Sequence, residues 1–446
     1  MKARESRPRL LQAMVDAFSL PDLKRKLLFT LAILILFRFL AQITAPGVAP
    51  DQVRDVFEGN DLLGMLDLFS GGAMKTFSVV ALGVYPYITA SIIMQLLVPV
   101  IPRLNSLARE GDSGREKINL YTHWLTVPLA ALQGYGQIFL MRNAGVNVPD
   151  KPLTMATIVI SLVAGTMFLV WLGERITERG IGNGISLIIF SGIIVAVPQQ
   201  MWQAKESGGW ADLIMLAVFS LAIVTFIVYF TEAFRRIPVH YSRSVFRGRR
   251  MYRQSGASHI PLRVNQSGMI PLIFAIALLT LPASIAGYFS SSNDPDSIAG
   301  TIMYWFSSAQ GPSFNILGLE IVSLPFWLIM FVLVVAFAFF YTMVTWEQQH
   351  LAENLQKQGG FVPGIRPGRQ TAEYLDKVVY RITWGGALFL GAVAAAPFLT
   401  QWIGELGAGF MILGSAGALI VVGVALDTMR QIEAQLLMRR YEGFLK

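Results

Sequence analysis

The 446-residue sequence has no cysteine, four histidines and few charges. Without cysteine there can be no disulfide, thiolate metal site, haem attachment or cysteine nucleophile. His123, His240, His259 and His350 stand singly, with no HExxH pair, which argues against a histidine-built zinc centre. A GxxxxGK[ST] phosphate loop and a nucleophile elbow are also missing, so the sequence offers neither its own fuel site nor an evident hydrolase. Charged residues are 14% of the chain, against roughly 25% in ordinary soluble domains, and hydrophobic residues are 54%. With a mean hydropathy of +0.53 there is too little polar material to coat a soluble globule. The composition places the chain in a bilayer.

A hydrocarbon core of about 30 Å takes about 20 mainly apolar residues per helix. Ten segments fit: Leu27 to Ala45, Phe77 to Ile101, Ile118 to Met141, Pro152 to Gly173, Gly184 to Gln200, Leu213 to Thr231, Gln266 to Phe289, Ile321 to Trp346, Ile382 to Gln401 and Leu406 to Leu426. The uncharged stretch Ser297 to Leu319 is broken by Gly300, Gly311 and Pro312 and reads as an external surface hairpin. With ten crossings, 30 Lys and Arg residues fall on the side of the termini and five (Arg54, Lys75, Arg142, Lys151, Lys205) on the other, Arg38 lying inside the first segment. By the positive-inside rule both termini are cytoplasmic. The basic start, Lys2 to Lys26, leads into an apolar run and then Pro46, the pattern of a retained helix rather than a cleaved signal. Pro86 and Pro271 lie near the middles of the second and seventh segments, and interruptions of equal rank suggest two five-helix halves related by an inverted repeat.

Ion-coupled carriers need carboxylates or histidines at membrane depth to meet the moving charge. Here only Arg38 is clearly within the core, with His123 near one end of its segment. Arg38 reads as a snorkelling or helix-bridging cation, with a functional intramembrane charge as the other reading. A solute transporter and an intramembrane enzyme are the alternative functions: the first predicts an intramembrane carboxylate and saturable uptake, the second a nucleophile or metal ligands around one cavity, and glycine-flanked Ser415 has no histidine in its segment. Val84 with Ile88, and Ile185 with Ile189, recur one helical turn apart. Such pairs fit ordinary helix packing, and they also fit a hydrophobic constriction that excludes ions by dewetting. Gln95, Asn183, Asn265 and Gln266 fit either helix-to-helix hydrogen bonds or polar contacts of a seam that opens.

Three motifs are specific. ALGVYPYITASIIMQLL (Ala81 to Leu97), ITERGIGNGIS (Ile176 to Ser186) and GGFVPGIRPGRQTAEYLDKV (Gly359 to Val378) resemble those of the SecY family, the channel subunits of Sec protein translocases, and the likeness runs over nearly the whole chain. It implies an all-α membrane protein: ten transmembrane helices in two pseudo-symmetric halves around a central pore, with partners SecE, SecG, the SecA ATPase and the ribosome, and no cofactor. Motif by motif, it places a waist ring at Val84, Ile88, Ile185, Ile189, Ile273 and Ile420, with Val84 standing where isoleucine is commoner. A plug matches Asn60 to Met74, where Leu62, Leu63, Leu66 and Phe69 share a helical face and Gly71 and Gly72 supply a hinge. A freestanding interfacial helix is the other reading of that face. The lateral gate implied between the second and seventh helices has Gln95, Asn265 and Gln266 as polar lining.

Between the sixth and seventh segments, residues 235–263 hold eight arginines (Arg235, Arg236, Arg243, Arg247, Arg249, Arg250, Arg253, Arg263) and no lysine or acid, with Tyr241, Phe246 and Tyr252 interleaved. Guanidinium groups among aromatics suit phosphate and exposed bases, and anionic lipid equally attracts such charge. The resemblance turns this loop toward docking of a ribosome or SecA through Arg243, Arg247, Arg249 and Arg250. In the loop 347–381, the turn PGIRPG presents Arg366, which the same resemblance implicates in engaging the motor. The organisation expected is a cytoplasmic segment 1–26, a first half 27–205 with the plug at 60–74, a second half 206–427 with cytoplasmic loops 235–263 and 347–381, and a cytoplasmic tail 428–446. The chain reads as the non-enzymatic pore subunit of a bacterial plasma-membrane translocase, passing unfolded secretory proteins and releasing hydrophobic segments sideways into lipid.

Overall fold

Proline opens several of the helices. Its fixed φ and missing N–H suit the first helical turn, and it occupies the first or second position of α1 (Pro21–Leu40), α2 (Tyr85–Val100), α3 (Pro102–Arg109) and α5 (Pro152–Arg179). The computed structural model describes residues 20–48, 52–53, 72–143, 146, 148, 151–247, 250–289, 297–306, 312–316, 319–348, 351–402 and 416–442. The other helices are α4 (Asp112–Asn143), α6 (Gly184–Glu232), α7 (Ile270–Phe289), α8 (Ile298–Trp305), α9 (Leu324–Gln348), α10 (Leu351–Lys357), α11 (Arg369–Trp402) and α12 (Ala416–Glu442).

The second and seventh segments differ from expectation in the same way. Neither Pro86 nor Pro271 lies near the middle of its helix. Each helix starts at the proline, because the proline ring would clash with a preceding helical turn. Tyr85 and Ile270 are the first residues of α2 and α7, and three residues before each proline stands a glycine with positive φ, Gly83 at 56° and Gly268 at 65°. The fifth and sixth segments are joined in α6 and separate at Gly209, whose φ of 72° and ψ of −153° break the helix.

Four described helices are long and apolar enough to cross a membrane: Pro152–Arg179, Gly209–Glu232, Leu324–Lys357 and Arg369–Ala396. The bent pair α2 and α3, turned by 98°, makes a fifth if taken as one span, and Gly184–Pro198 and Ile270–Leu279 are shorter apolar helices. The chain is therefore a multi-pass membrane protein, but the count falls short of ten for identifiable reasons. The helix α1 opens on Asp22, Lys24, Arg25 and Lys26; α4 interrupts its apolar run with Asn119, His123, Gln133 and Gln137; and residues 403–415, at the start of the tenth segment, lie outside the described residues.

The basic loops also depart from an all-α reading. β1 (Phe234–Arg247) and β2 (Arg250–Arg263) form an antiparallel hairpin, and β5 (Gly360–Phe361) pairs with β1 at His240 and Tyr241, giving the order β2-β1-β5. Alternation explains it: Ile237 and Val239 point to one face of β1, where they pack with Leu355, Val362, Leu375, Val378 and Val379. The expected hairpin at Ser297 to Leu319 is instead the short helix α8 followed by a hairpin of β3 (Ser313–Ile316) and β4 (Leu319–Val322).

The main apolar core gathers side chains from both ends of the sequence, including Phe37 of α1, Leu172 of α5, Leu272 of α7, Phe326 of α9, Leu390 of α11 and Leu419 of α12. Burying each contributes about 2 kcal/mol relative to water, an upper figure where the alternative is lipid.

Candidate functional site

All six waist candidates lie in that one core. Val84, Ile88, Ile189 and Ile420 are buried in it, Ile420 completely, while Ile185 and Ile273 are half-buried against it. They arrive from four elements: the start of α2, the first two turns of α6, the first turn of α7 and the first turns of α12. Their side chains carry no polar atom, so none of the six can bind an ion or a peptide group strongly.

The start of α6 is held tightly. Asn183 caps the helix, its Oδ1 accepting from the Ser186 N–H at 3.2 Å. The Ile181 N–H donates to Thr30 Oγ1 at 3.2 Å, and the Gly182 N–H donates to Gln431 Oε1 at 2.8 Å, fastening the loop between α1 and α12. Ile181 itself is buried with Leu23 and Ile432. These bonds fix the register of Ile185 and Ile189, one and two turns on.

The amides expected between helices bond locally where the bonds are visible. Gln95 Nε2 donates to Ser91 Oγ of its own helix at 3.3 Å, and buried Asn265 accepts at Oδ1 from Ser267 Oγ at 3.3 Å. Gln266 is half-buried beside it. A polar side chain finds a partner a few residues away in its own segment at less cost in order than one on another helix. Arg38 does bridge helices: its guanidinium donates to the Ser191 carbonyl of α6 and lies 5.2 Å from the Phe37 ring. His123 pairs with Glu174 at 3.0 Å, and Asn119 donates to the same carboxylate at 3.0 Å, so this polar group ties α4 to α5.

Of the plug candidates, Leu62, Leu63, Leu66, Phe69 and Gly71 lie outside the described residues. Gly72 has φ +85° with open space around it, a backbone shape suited to a hinge.

Sheet pairing brings the two basic loops together. Arg243 and Arg247 lie on β1 and Arg250 faces Arg247 at the hairpin end, while Arg249 lies outside the described residues. Because β5 pairs with β1, the loop carrying Arg366 is built onto the same sheet. Around Arg366 the backbone is fixed by the Ile365 N–H donating to the Val362 carbonyl at 3.1 Å and by Thr371 Oγ1 donating to the Arg366 carbonyl at 2.9 Å, and the arginine is exposed.

A sequence profile of the SecY family matches residues 78–429. The chain belongs to the SecY family. Its relatives include the protein translocase subunits SecY of Streptomyces scabiei, 42% identical with 98% of this chain and 100% of that one covered, and of Halalkalibacterium halodurans, 39% identical with 97% and 99% covered. Among solved structures, the fold resembles a protein-conducting channel (TM-score 0.63, 20% identity, 92% of this chain and 91% of that one). It also resembles a SecY protein whose plug domain was studied as stabilising the closed state and maintaining a membrane seal (TM-score 0.64, 21% identity, the same coverage). A SecY-family protein is a transport protein rather than an enzyme.

Sequence reasoning missed two features of this SecY-family chain. One is the fastening of the α6 start by Thr30 and Gln431. The other is Tyr85, whose Oη donates to the Ala277 carbonyl of α7 at 3.0 Å. Only packing reveals either, since each joins residues far apart in the chain.

Proposed function

We propose that this chain is the pore subunit of a bacterial plasma-membrane translocase, crossing the membrane ten times with both termini cytoplasmic and its two five-helix halves enclosing the path of an unfolded secretory chain. The observation that supports it most is the convergence of Val84, Ile88, Ile185, Ile189, Ile273 and Ile420 in one apolar core of a SecY-family protein. An uncharged ring sheds water when empty and so blocks ions, yet offers a passing peptide no group to bind, so unrelated sequences slide through. The plug at 60–74 covers the ring at rest, hinging at Gly71 and Gly72. A signal sequence parts α2 from α7, near Gln95, Asn265 and Gln266, and hydrophobic segments leave there into lipid.

Energy comes from partners. The solved neighbours include channels in the canine ribosome–channel complex and in the idle yeast Ssh1 complex bound to the 80S ribosome. The fused sheet carrying Arg243, Arg247 and Arg250, with exposed Arg366 beside it and Arg249 next to Arg250 in the sequence, is the surface that fits SecA or a ribosome, and anionic lipid headgroups complement its charge. SecE clamps the halves and SecG completes the complex. Reversing the charge, Arg366→Glu, tests this reading: SecA-driven export from membrane vesicles should fall at least about tenfold, the scale of losing a charge-assisted pair, with insertion unchanged. Export at the parental rate would remove Arg366 from the docking surface.

A further inference from the structure

The hydrogen bond between α2 and α7 has an unusual placement. Tyr85 is the first residue of α2, next to Val84, and Ala277 lies one helical turn beyond Ile273 on α7, so the bond sits at the level of the waist. The donor is aimed by a stiff turn: the Gly83 N–H donates to the Val80 carbonyl at 2.8 Å, the Tyr85 N–H to the Leu82 carbonyl at 3.3 Å, and Pro86 fixes the backbone that follows. The ring of Tyr85 is packed against the main apolar core. When the two helices part, the phenol hydroxyl loses this acceptor.

We propose that Tyr85 is a polar latch on the seam between α2 and α7, and that it sets how apolar an entering segment must be to part them. The inference rests on the reading of that seam as the lateral gate. Separating the helices breaks the Tyr85–Ala277 bond as well as apolar contacts, and the entering segment offsets both by covering the opened faces with its own side chains. A strongly apolar segment has free energy to spare; a weakly apolar one fails at the latch. Apolar packing alone would set the threshold by contact area. The hydroxyl adds a fixed step that no apolar segment can replace.

The Tyr85→Phe substitution removes the hydroxyl and keeps the ring, so folding and packing are preserved. In membrane vesicles carrying the complete translocase, the export rates of precursors whose signal cores are progressively weakened from leucine to alanine are compared with that of the strong-signal parent. The variant should raise the weak-to-strong export ratio about two- to tenfold, the span of one net hydrogen bond. An unchanged ratio overturns the latch. The gate reading is tested separately by Tyr85→Cys with Ala277→Cys, bridged by a short bifunctional thiol reagent, in a chain with no other cysteine. Bridging should stop export of the strong-signal precursor. Full export through the bridged channel overturns the gate itself, whereas arrest by the bridge together with an unchanged Tyr85→Phe ratio overturns only the latch.

Discussion

Replacing Ile88 and Ile420 together by serine is expected to raise the resting ion conductance of the channel in planar bilayers by at least an order of magnitude. Both side chains are buried in the core shared by the waist residues, and Ile420 is 0% exposed. Each replacement forfeits about 2 kcal/mol of apolar burial and introduces a hydroxyl that holds water where the ring otherwise sheds it. At about 1.4 kcal/mol per decade, the combined loss is ample to populate a wetted waist. Leu221→Ser makes the control, because Leu221 is 68% exposed on α6 and faces away from the core; its conductance should match the parent. Equal conductance for the double variant and the control would mean that the buried isoleucines are packing and not a gasket.

The second large effect is expected at the α5–α6 contact. A Cβ built on Gly184 would lie 1.9 Å from the Gly173 carbonyl oxygen and 2.8 Å from Ile176 Cβ. Backbone cannot yield as a flexible side chain does, so Gly184→Ala must push the start of α6 off α5. It would also stretch the bonds from the neighbouring loop to Thr30 and Gln431 and displace Ile185 and Ile189. The expected cost is about 3 kcal/mol, the upper range of core overpacking. Thermal unfolding in detergent should show a large drop in midpoint for Gly184→Ala and none for Gly385→Ala, where an added Cβ meets nothing within 4 Å. Matching midpoints would show that α6 is free to move there without consequence.

Much of the architecture was legible because a bilayer imposes so strict a pattern. Apolar runs overlap most of the helices, although their ends differ by many residues in places, α11 beginning at Arg369 and α12 ending at Glu442. What was not legible depended on partners distant in the chain. Pro86 and Pro271 looked like kinks because the apolar runs continue on both sides of them, whereas the positive-φ Gly83 and Gly268 end the preceding structure and make each proline a helix start. The alternation of Ile237 and Val239 was present in the sequence, but the arginines before and after them suggested an open loop; pairing of β1 with β2 makes it a hairpin, to which distant Gly360 and Phe361 add a third strand. Gln95 and Asn183 illustrate the reverse: polar residues in apolar helices invite long-range roles, and both bond within their own segments. The six waist residues came from family motifs; spacing by itself singled out only the pairs Val84 with Ile88 and Ile185 with Ile189.

The central claim is that an unfolded polypeptide passes through the waist. A secretory precursor stalled midway by a folded C-terminal domain, with a short-range photocrosslinker placed along its threaded segment, tests this directly. Crosslinks should map to Ile88, Ile189 and Ile420 and move along the precursor as the stall point is shifted. Crosslinks confined to outward-facing residues such as Leu221 and Trp171, or none to the waist at any stall point, would contradict it.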